Sequence, residues 1–357
     1  MSETVDWNFI LDKIKKEKCV LLLGPELCVP KDGKSFEEHL VEQIETQDKS
    51  GQINYYKKDG FFLFKNDEEK MHFGYQMEQL YKSSCNEDIF NTISKLPFHL
   101  IISATPDLNL KQVFEKNKIP HSFAFYDKTS TPEEVPEPSK EEPLIYNLLG
   151  NVEKWDSLIL TYDDLFDFLS EIMGDRELPT NLKNALKEAD SLIFLGFKFE
   201  KWYVQLLLRI LKLQMGKTKY AYNKAIDYDT QCFCIEQFKI KFIDENMHQF
   251  IADLNKKCKD EGILRETENG DMLVSGLIEK YIAEDLLEKA IVAAKSFFNR
   301  KNEEELIDDV ILLEGRQKRL NRKINLGVIE ERSAEIEHNK IKLALLELNK
   351  ELKQMEE

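Results

Sequence analysis

Short apolar runs, each stopped by glycine or a turn, recur along the first two thirds of the chain. Between them lie segments whose apolar residues return every three or four positions. The first pattern predicts buried strands and the second amphipathic helices. Strands are expected at 18–23, 99–104, 121–126, 143–148 and 191–195, with a further one at Gln231 to Ile235, near the run Lys239-Ile240-Lys241-Phe242-Ile243. A helix is expected at 35–47, where Ser35-Phe36-Glu37-Glu38 has the Ser-x-x-Glu capping pattern and Phe36, Leu40 and Ile44 share a face. Others are expected within 67–95 and, briefly, from Lys111 to Asn117. Apolar strands alternating with helices predict a parallel α/β sheet. The stretch 131–143, rich in proline and acid, reads as an exposed, poorly ordered loop rather than a domain boundary. Beyond Asp244 almost everything reads as helix, with a break at Asn269-Gly270 and a new unit from Leu273.

The run Ala189 to Tyr203 is the most informative stretch, because a short apolar strand ends at Gly196 and gives way at once to an amphipathic helix. In open parallel sheets the turn after a strand's carboxyl end is where backbone approaches a nucleotide and where a helix N-terminus offers N–H groups. Three further strand ends fit the same rim: Lys18 to Glu26, with Gly24-Pro25; His99 to Leu110, with Thr105-Pro106-Asp107; and Pro143 to Val152, with Gly150-Asn151.

Composition narrows the function classes. The 357 residues, 42% of them hydrophobic, are enough for two domains with real cores. A formal charge of −16 argues against nucleic acid or an anionic membrane as the main partner. No apolar run approaches the roughly 20 residues that span a bilayer, and the first residues lack a signal pattern, so a cytoplasmic location and no membrane partner are expected. The six cysteines, Cys19, Cys28, Cys85, Cys232, Cys234 and Cys258, lack the spacing of a disulfide scaffold and read as reduced thiols. Only Cys232-Phe233-Cys234 comes near a metal-binding pair, so no zinc or other metal is expected.

The order of these segments along residues 1 to 260 resembles the sirtuin-like family, in the bacterial branch found in antiphage and other conflict systems rather than the protein deacylases. Ser103 to Asp107, Tyr146 to Leu165 and Leu195 to Leu211 carry the resemblance. It implies a Rossmann-like parallel sheet and a site for NAD or a related ADP-ribose nucleotide, contacted by Gly24, Glu26, Thr105, Asp107, Gly150, Gly196 and Lys198. In the family a Gly-Ala-Gly turn cradles the pyrophosphate, an asparagine in a Thr-x-Asn-x-Asp stretch contacts the ribose, and a histidine before glycine is the general base. This chain departs from each. Only Gly24 remains in the turn, Pro25 has no N–H, and Glu26 brings negative charge to where a pyrophosphate would approach. Thr105 stands at the asparagine position, and Leu149-Gly150 replaces histidine-glycine, which removes the base a deacylase needs. Asp107 is the candidate to stabilise positive charge on a ribose. Asn147 or Asn151 could orient water, or simply cap a turn, and an amide is no base. Lys198, in Gly196-Phe197-Lys198, could neutralise a phosphate or lie at the surface.

The last segment, 273–357, follows an expected linker at 261–272 and resembles an effector-associated domain, a small all-α helical bundle. Ile307 to Arg316, Asn325 to Ile329 and His338 to Leu348 are the matching pieces. The resemblance implies a protein partner bearing a matching bundle, and self-association into a homo-oligomer. Ile341, Leu345, Leu348, Leu352 and Met355 form one helical stripe, while Leu343 and Leu346 lie off it and either meet a partner or close an internal core. Two functions are compatible with these residues. The first is a degenerate sirtuin-like module that binds an NAD-type nucleotide or acts as a scaffold, recruited to partners through its helical domain. The alternative is an NAD glycohydrolase, silent until activated, that depletes NAD.

Overall fold

The computed structural model describes residues 5–28, 36–47, 54–56, 58–84, 87–173, 178–211, 217–222, 226–243, 246–265, 274–301 and 303–356. The Ser35 cap, the Asn269-Gly270 break, Leu273 and residues 266–272 of the expected linker lie outside them. The chain divides into two compact units: Met1–Phe114 with His121–Arg265, and Glu115–Pro120 with Glu266–Glu357.

The first unit begins with α1 (Trp7–Lys15), β1 (Cys19–Leu23), α2 (Phe36–Gln47), the hairpin β2 (Asn54–Tyr56) and β3 (Phe61–Leu63), α3 (Asp67–Ser84) and α4 (Glu87–Lys95). It continues through β4 (Leu100–Ser103), α5 (Asn109–Lys116), β5 (Ser122–Phe125), β6 (Leu144–Asn147), α6 (Tyr162–Met173), α7 (Thr180–Glu188), β7 (Ser191–Leu195) and α8 (Trp202–Ile210). It closes with β8 (Thr218–Tyr222), α9 (Tyr228–Phe238), β9 (Ile240–Ile243) and α10 (Met247–Asp260). Seven strands form one parallel sheet in the order β5-β6-β4-β1-β7-β8-β9. This is the Rossmann-like α/β fold that the alternation of apolar runs and helices predicts. The fully buried β1 and β7 are apolar except for Ser191 because both faces are covered. Val20, Leu22, Leu192 and Phe194 share one core with Leu182, Leu186 and Leu207, while the alternate positions Leu21 and Ile193 point to the opposite side. Chain order reverses at β1, whose carboxyl end lies between those of β4 and β7, the place where such sheets form a crevice. Phe36 and Leu40 of α2, Phe62 of β3 and Phe73 and Met77 of α3 pack on Leu108, Val152 and Leu158, and so roof that carboxyl edge.

Several expectations are corrected. Gln231 to Ile235 lies inside α9, not in a strand. Asp227 accepts from the Thr230 N–H to start that helix, Lys239 at φ 57 ends it, and Cys234 and Phe238, one turn apart, supply its buried face. The stretch 131–143 has no regular structure, yet it is anchored: Val135 is buried in the main core, and the Glu134 carboxylate accepts from the N–H groups of Thr180 and Asn181 at the start of α7. The cysteines are not all reduced thiols, since Cys28 is in a disulfide, while Cys19, Cys232, Cys234 and Cys258 are free.

Strand β8 escaped the apolar pattern because a lysine interrupts it. Lys219 is fully buried, paired in register with Leu192 and Ile240, and its Nζ donates to the Lys217 carbonyl at 3.0 Å. Burial, with Lys217 nearby, lowers its pKa from the ordinary 10.5 to about 8. The unfolded chain therefore binds more protons between those values, so this group makes stability rise with pH from about 8 to 10.5. Lys219→Met is expected to stabilise the protein at pH 7 by about 1–3 kcal/mol, by removing a buried charge without leaving a hole. Denaturation of both proteins at pH 7 and pH 10 tests this: the gap should narrow at the higher pH, and an unchanged or widened gap contradicts it.

The second unit contains α11 (Val274–Ala283), α12 (Leu287–Lys301), α13 (Glu304–Asn325) and α14 (Glu331–Glu356). Ile278, Ala290, Phe298 and Val310 meet the α14 stripe of Ile341, Leu345, Leu348 and Leu352 in one core, against which Met355 packs. Leu343 is 63% exposed and Leu346 36%, so these two do not close the core. Among the described residues no helix is long and apolar enough to cross a membrane.

Candidate functional site at the carboxyl edge of the sheet

Four strand ends place the expected site residues. Gly24 follows β1 and leads into a short 3-10 turn, Pro25–Leu27. Gly24 and the turn after β7 are pressed together: a Cβ on Gly24 would stand 2.3 Å from the Gly196 carbonyl oxygen, and one on Gly196 2.5 Å from the Leu27 nitrogen. Gly196 also has φ +74, which disfavours any side chain.

The hydrogen bonds of this turn decide what it can hold. Gly24 N–H donates to the Leu195 carbonyl at 2.7 Å, Glu26 N–H to that of Gly196 at 2.9 Å, and Leu27 N–H to that of Gly24 at 3.1 Å. Pro25 has no N–H. The turn as built thus leaves a pyrophosphate no backbone donor from Gly24 to Leu27. The Glu26 carboxylate pairs with Lys198 Nζ at 3.0 Å, both side chains being about a third exposed. Lys198 thereby meets a protein carboxylate where the phosphate reading requires a ligand.

After β4 the side chains make a relay. The Thr105 hydroxyl donates to Asp107 Oδ2 at 2.5 Å, which leaves Thr105 Oγ1 to accept from the Ser103 hydroxyl at 2.7 Å. Asp107 Oδ1 accepts from both the backbone N–H and the side-chain amide of Asn109, at 2.9 and 2.7 Å. Burial raises the Asp107 pKa, and these hydrogen bonds oppose the shift. With both oxygens engaged by three donors, the carboxylate orders the start of α5 and has little capacity left to act as a base. Asn147, at the end of β6, donates from its amide to the Asp107 carbonyl at 2.8 Å.

Gly150 and Asn151 belong to a neighbouring turn. Gly150 has φ +92 and lies against Ser157, where a Cβ would come 2.4 Å from a carbonyl oxygen. The Asn151 side-chain oxygen accepts from the Glu153 N–H at 3.0 Å, and its own N–H donates to Ser157 Oγ. Leu149, which the resemblance sets at the position of the family's histidine, packs against the main core.

Of the residues expected at the site, Gly24, Thr105 and Asp107 line one small cavity together with Asn147. Glu26, Gly150, Asn151, Gly196 and Lys198 are not among its lining residues. Ser103, Lys111, Leu27, Cys28, Phe90 and Phe123 are, and no histidine joins them. The polar spacing Asp107-x-Asn109-x-Lys111 at the start of a helix was a readable signal for Lys111. Nothing local points to Phe90 or Phe123, which arrive from α4 and β5. The cavity measures about 10 Å³, at the limit for a single water. Among the described residues the cavity is far smaller than a dinucleotide. Among the described residues no three His, Cys, Asp or Glu side chains gather where a metal could be held.

Comparison with known families agrees with this layout. Residues 99–259 match the SIR2-like domain, a match that begins after β1 and its altered turn, and residues 276–353 match Effector-associated domain 11. No curated protein matches the sequence. With its parallel sheet, its cavity at the carboxyl edge of that sheet and its C-terminal helices, the chain carries a SIR2-like domain followed by an effector-associated domain.

Proposed function

We propose that the SIR2-like domain is a scaffold that has given up dinucleotide hydrolysis, and that the effector-associated domain brings it to a protein partner carrying a matching domain. The pairing of these two domains fits a component of a conflict or antiphage system. One observation carries the scaffold reading: the backbone N–H groups of Gly24, Glu26 and Leu27 are all spent on protein carbonyls, and Pro25 has none. Leu149 in place of a base supports it, because an aliphatic side chain accepts no proton at any pH. So does the Glu26–Lys198 pair, which sets a carboxylate at the phosphate turn. The exposed apolar residues of the second unit, among them Leu312, Leu326 and Leu343, support a recruitment role.

Calorimetric titration of NAD, and separately ADP-ribose, into the full chain is the test. No heat is expected with either ligand, no nicotinamide release, and no change on Asp107→Ala. A second reading, an NAD glycohydrolase made competent by assembly, is favoured by the Ser103–Thr105–Asp107 relay, whose members all line the cavity. Micromolar binding that weakens in Asp107→Ala would replace the scaffold reading with that one.

A further inference from the structure

We propose that the Cys28 disulfide is a redox switch: oxidised, it clamps the roof of the first unit over the cavity at the carboxyl edge, and reduction by a dithiol releases that roof. This goes beyond the scaffold reading, which does not depend on the redox state of the chain.

Cys28 directly follows the turn Pro25–Leu27 and stands where two parts of the unit meet. On one side it lines the cavity, together with Gly24, Asp107 and Lys111. On the other it belongs to the apolar cluster of the roof, with Phe36 and Leu40 of α2 and Phe73, Met77 and Tyr81 of α3. Phe36 and Tyr81 stack with ring centres 4.2 Å apart, so the two roof helices are joined to each other as well as to Cys28. The edge beneath is fixed, because the N–H groups of Gly24, Glu26 and Leu27 all end on backbone carbonyls. A disulfide joins residues whose Cα atoms lie within about 7 Å of each other, so the bond of Cys28 falls in this same neighbourhood.

A cavity of about 10 Å³ admits at most a water, so anything larger reaches Asp107 only if a wall of it moves. Apolar packing opens and closes by thermal fluctuation, whereas a covalent bond does not, and cutting it returns to the roof the freedom that the cross-link removes. The cut is an ordinary exchange with a dithiol. The thiolate of the reductant attacks the sulfur joined to Cys28, since Cys28 itself is 2% exposed, and Cys28 leaves as a thiolate that takes up a proton. The second thiol of the reductant then closes the reductant's own disulfide and releases the other cysteine as a thiol, so two electrons and two protons pass to the protein. Cys19, Cys232, Cys234 and Cys258 are free and take no part.

Hydrogen exchange of the full chain, read by mass spectrometry with and without dithiothreitol, is the test. One disulfide leaves four of the six cysteines as thiols, so thiol titration of the unfolded chain should give four before reduction and six after it. Reduction is expected to speed exchange in α2 and α3 about tenfold and to leave β1 and β7 unchanged. Cys28→Ser should exchange at the reduced rate whether or not dithiothreitol is present, while Cys232→Ser, which removes a free thiol, should respond as the parent does. The parent is measured in both redox states, so the test stands even if Cys28→Ser does not fold. Six thiols in protein purified without reductant, a bond that dithiothreitol leaves uncut in the folded chain, or exchange in α2 and α3 that ignores the cut overturns the proposal. The scaffold reading fails on a different measurement, the binding of NAD or ADP-ribose, so the two failures are distinguishable.

Discussion

Gly24→Ala is expected to destabilise the first unit by about 3 kcal/mol or more, the upper range for forcing a methyl into packed backbone. The Cβ it adds would stand 2.3 Å from the Gly196 oxygen, 2.7 Å from its carbonyl carbon and 2.9 Å from the Phe197 Cα. All three are backbone atoms, which cannot swing aside as the end of a side chain can. Conformation is not the issue, because Gly24 has φ −108, open to any residue. The chain has three tryptophans, Trp7, Trp155 and Trp202, all in the first unit, so their fluorescence in urea follows that unit. A sharp fall in the midpoint is the expected outcome. An unchanged midpoint would mean that Gly24 is not a packing residue and would return it to the role of a phosphate-turn glycine.

The second large effect is expected at Arg265, the last residue of the first unit. Its Nε donates to the Lys140 carbonyl at 3.1 Å, Nη1 to that of Ser94 at 3.0 Å, and Nη2 to that of Phe98, while the guanidinium lies 5.3 Å from the Phe114 ring centre. One planar cation thus joins the end of α4, the residues before β4 and the stretch 131–143. Arg265→Met keeps much of the volume but leaves three carbonyls without their charged donor, and a loss of about 3 kcal/mol is expected. Arg265→Lys should recover only part of it, since a single ammonium cannot match a fork whose donors point to three carbonyls. The same fluorescence transition reads both variants. Equal stability of the methionine variant and the parent would show that the three bonds merely replace equivalent bonds to water.

Both residues were visible in the chain, and neither role was legible there. Gly24 stood out as the surviving glycine of an altered phosphate turn, but the carbonyl it packs against belongs to Gly196, 172 residues later. Arg265 fell in what composition presented as a linker, because its three acceptors are distant in sequence and carbonyls leave no trace in residue identity. Glu26 is the third case, since its charge was readable and its direction was not. That Lys198 lies 3.0 Å away follows only from the pairing of β1 with β7.

What the sequence by itself determined is the architecture. Apolar runs at 18–23, 99–104, 121–126, 143–148 and 191–195 became β1, β4, β5, β6 and β7: the interior strands β1, β4, β6 and β7 are buried on both faces and so are largely apolar, while β5 is the half-buried edge strand. The C-terminal stripe Ile341, Leu345, Leu348 and Leu352 became a core, because helical periodicity is a local property. Leucine at position 149 accepts no proton in any fold. Tertiary structure alone decided where polar and charged groups are spent. The Gly24 and Glu26 N–H groups go to carbonyls at the end of β7, the Asn147 amide goes to the Asp107 carbonyl, and Lys219 is buried in a strand that it disguised. A hydrogen bond or an ion pair joins atoms that sequence separation does not constrain, so its partner becomes known only once the chain is folded.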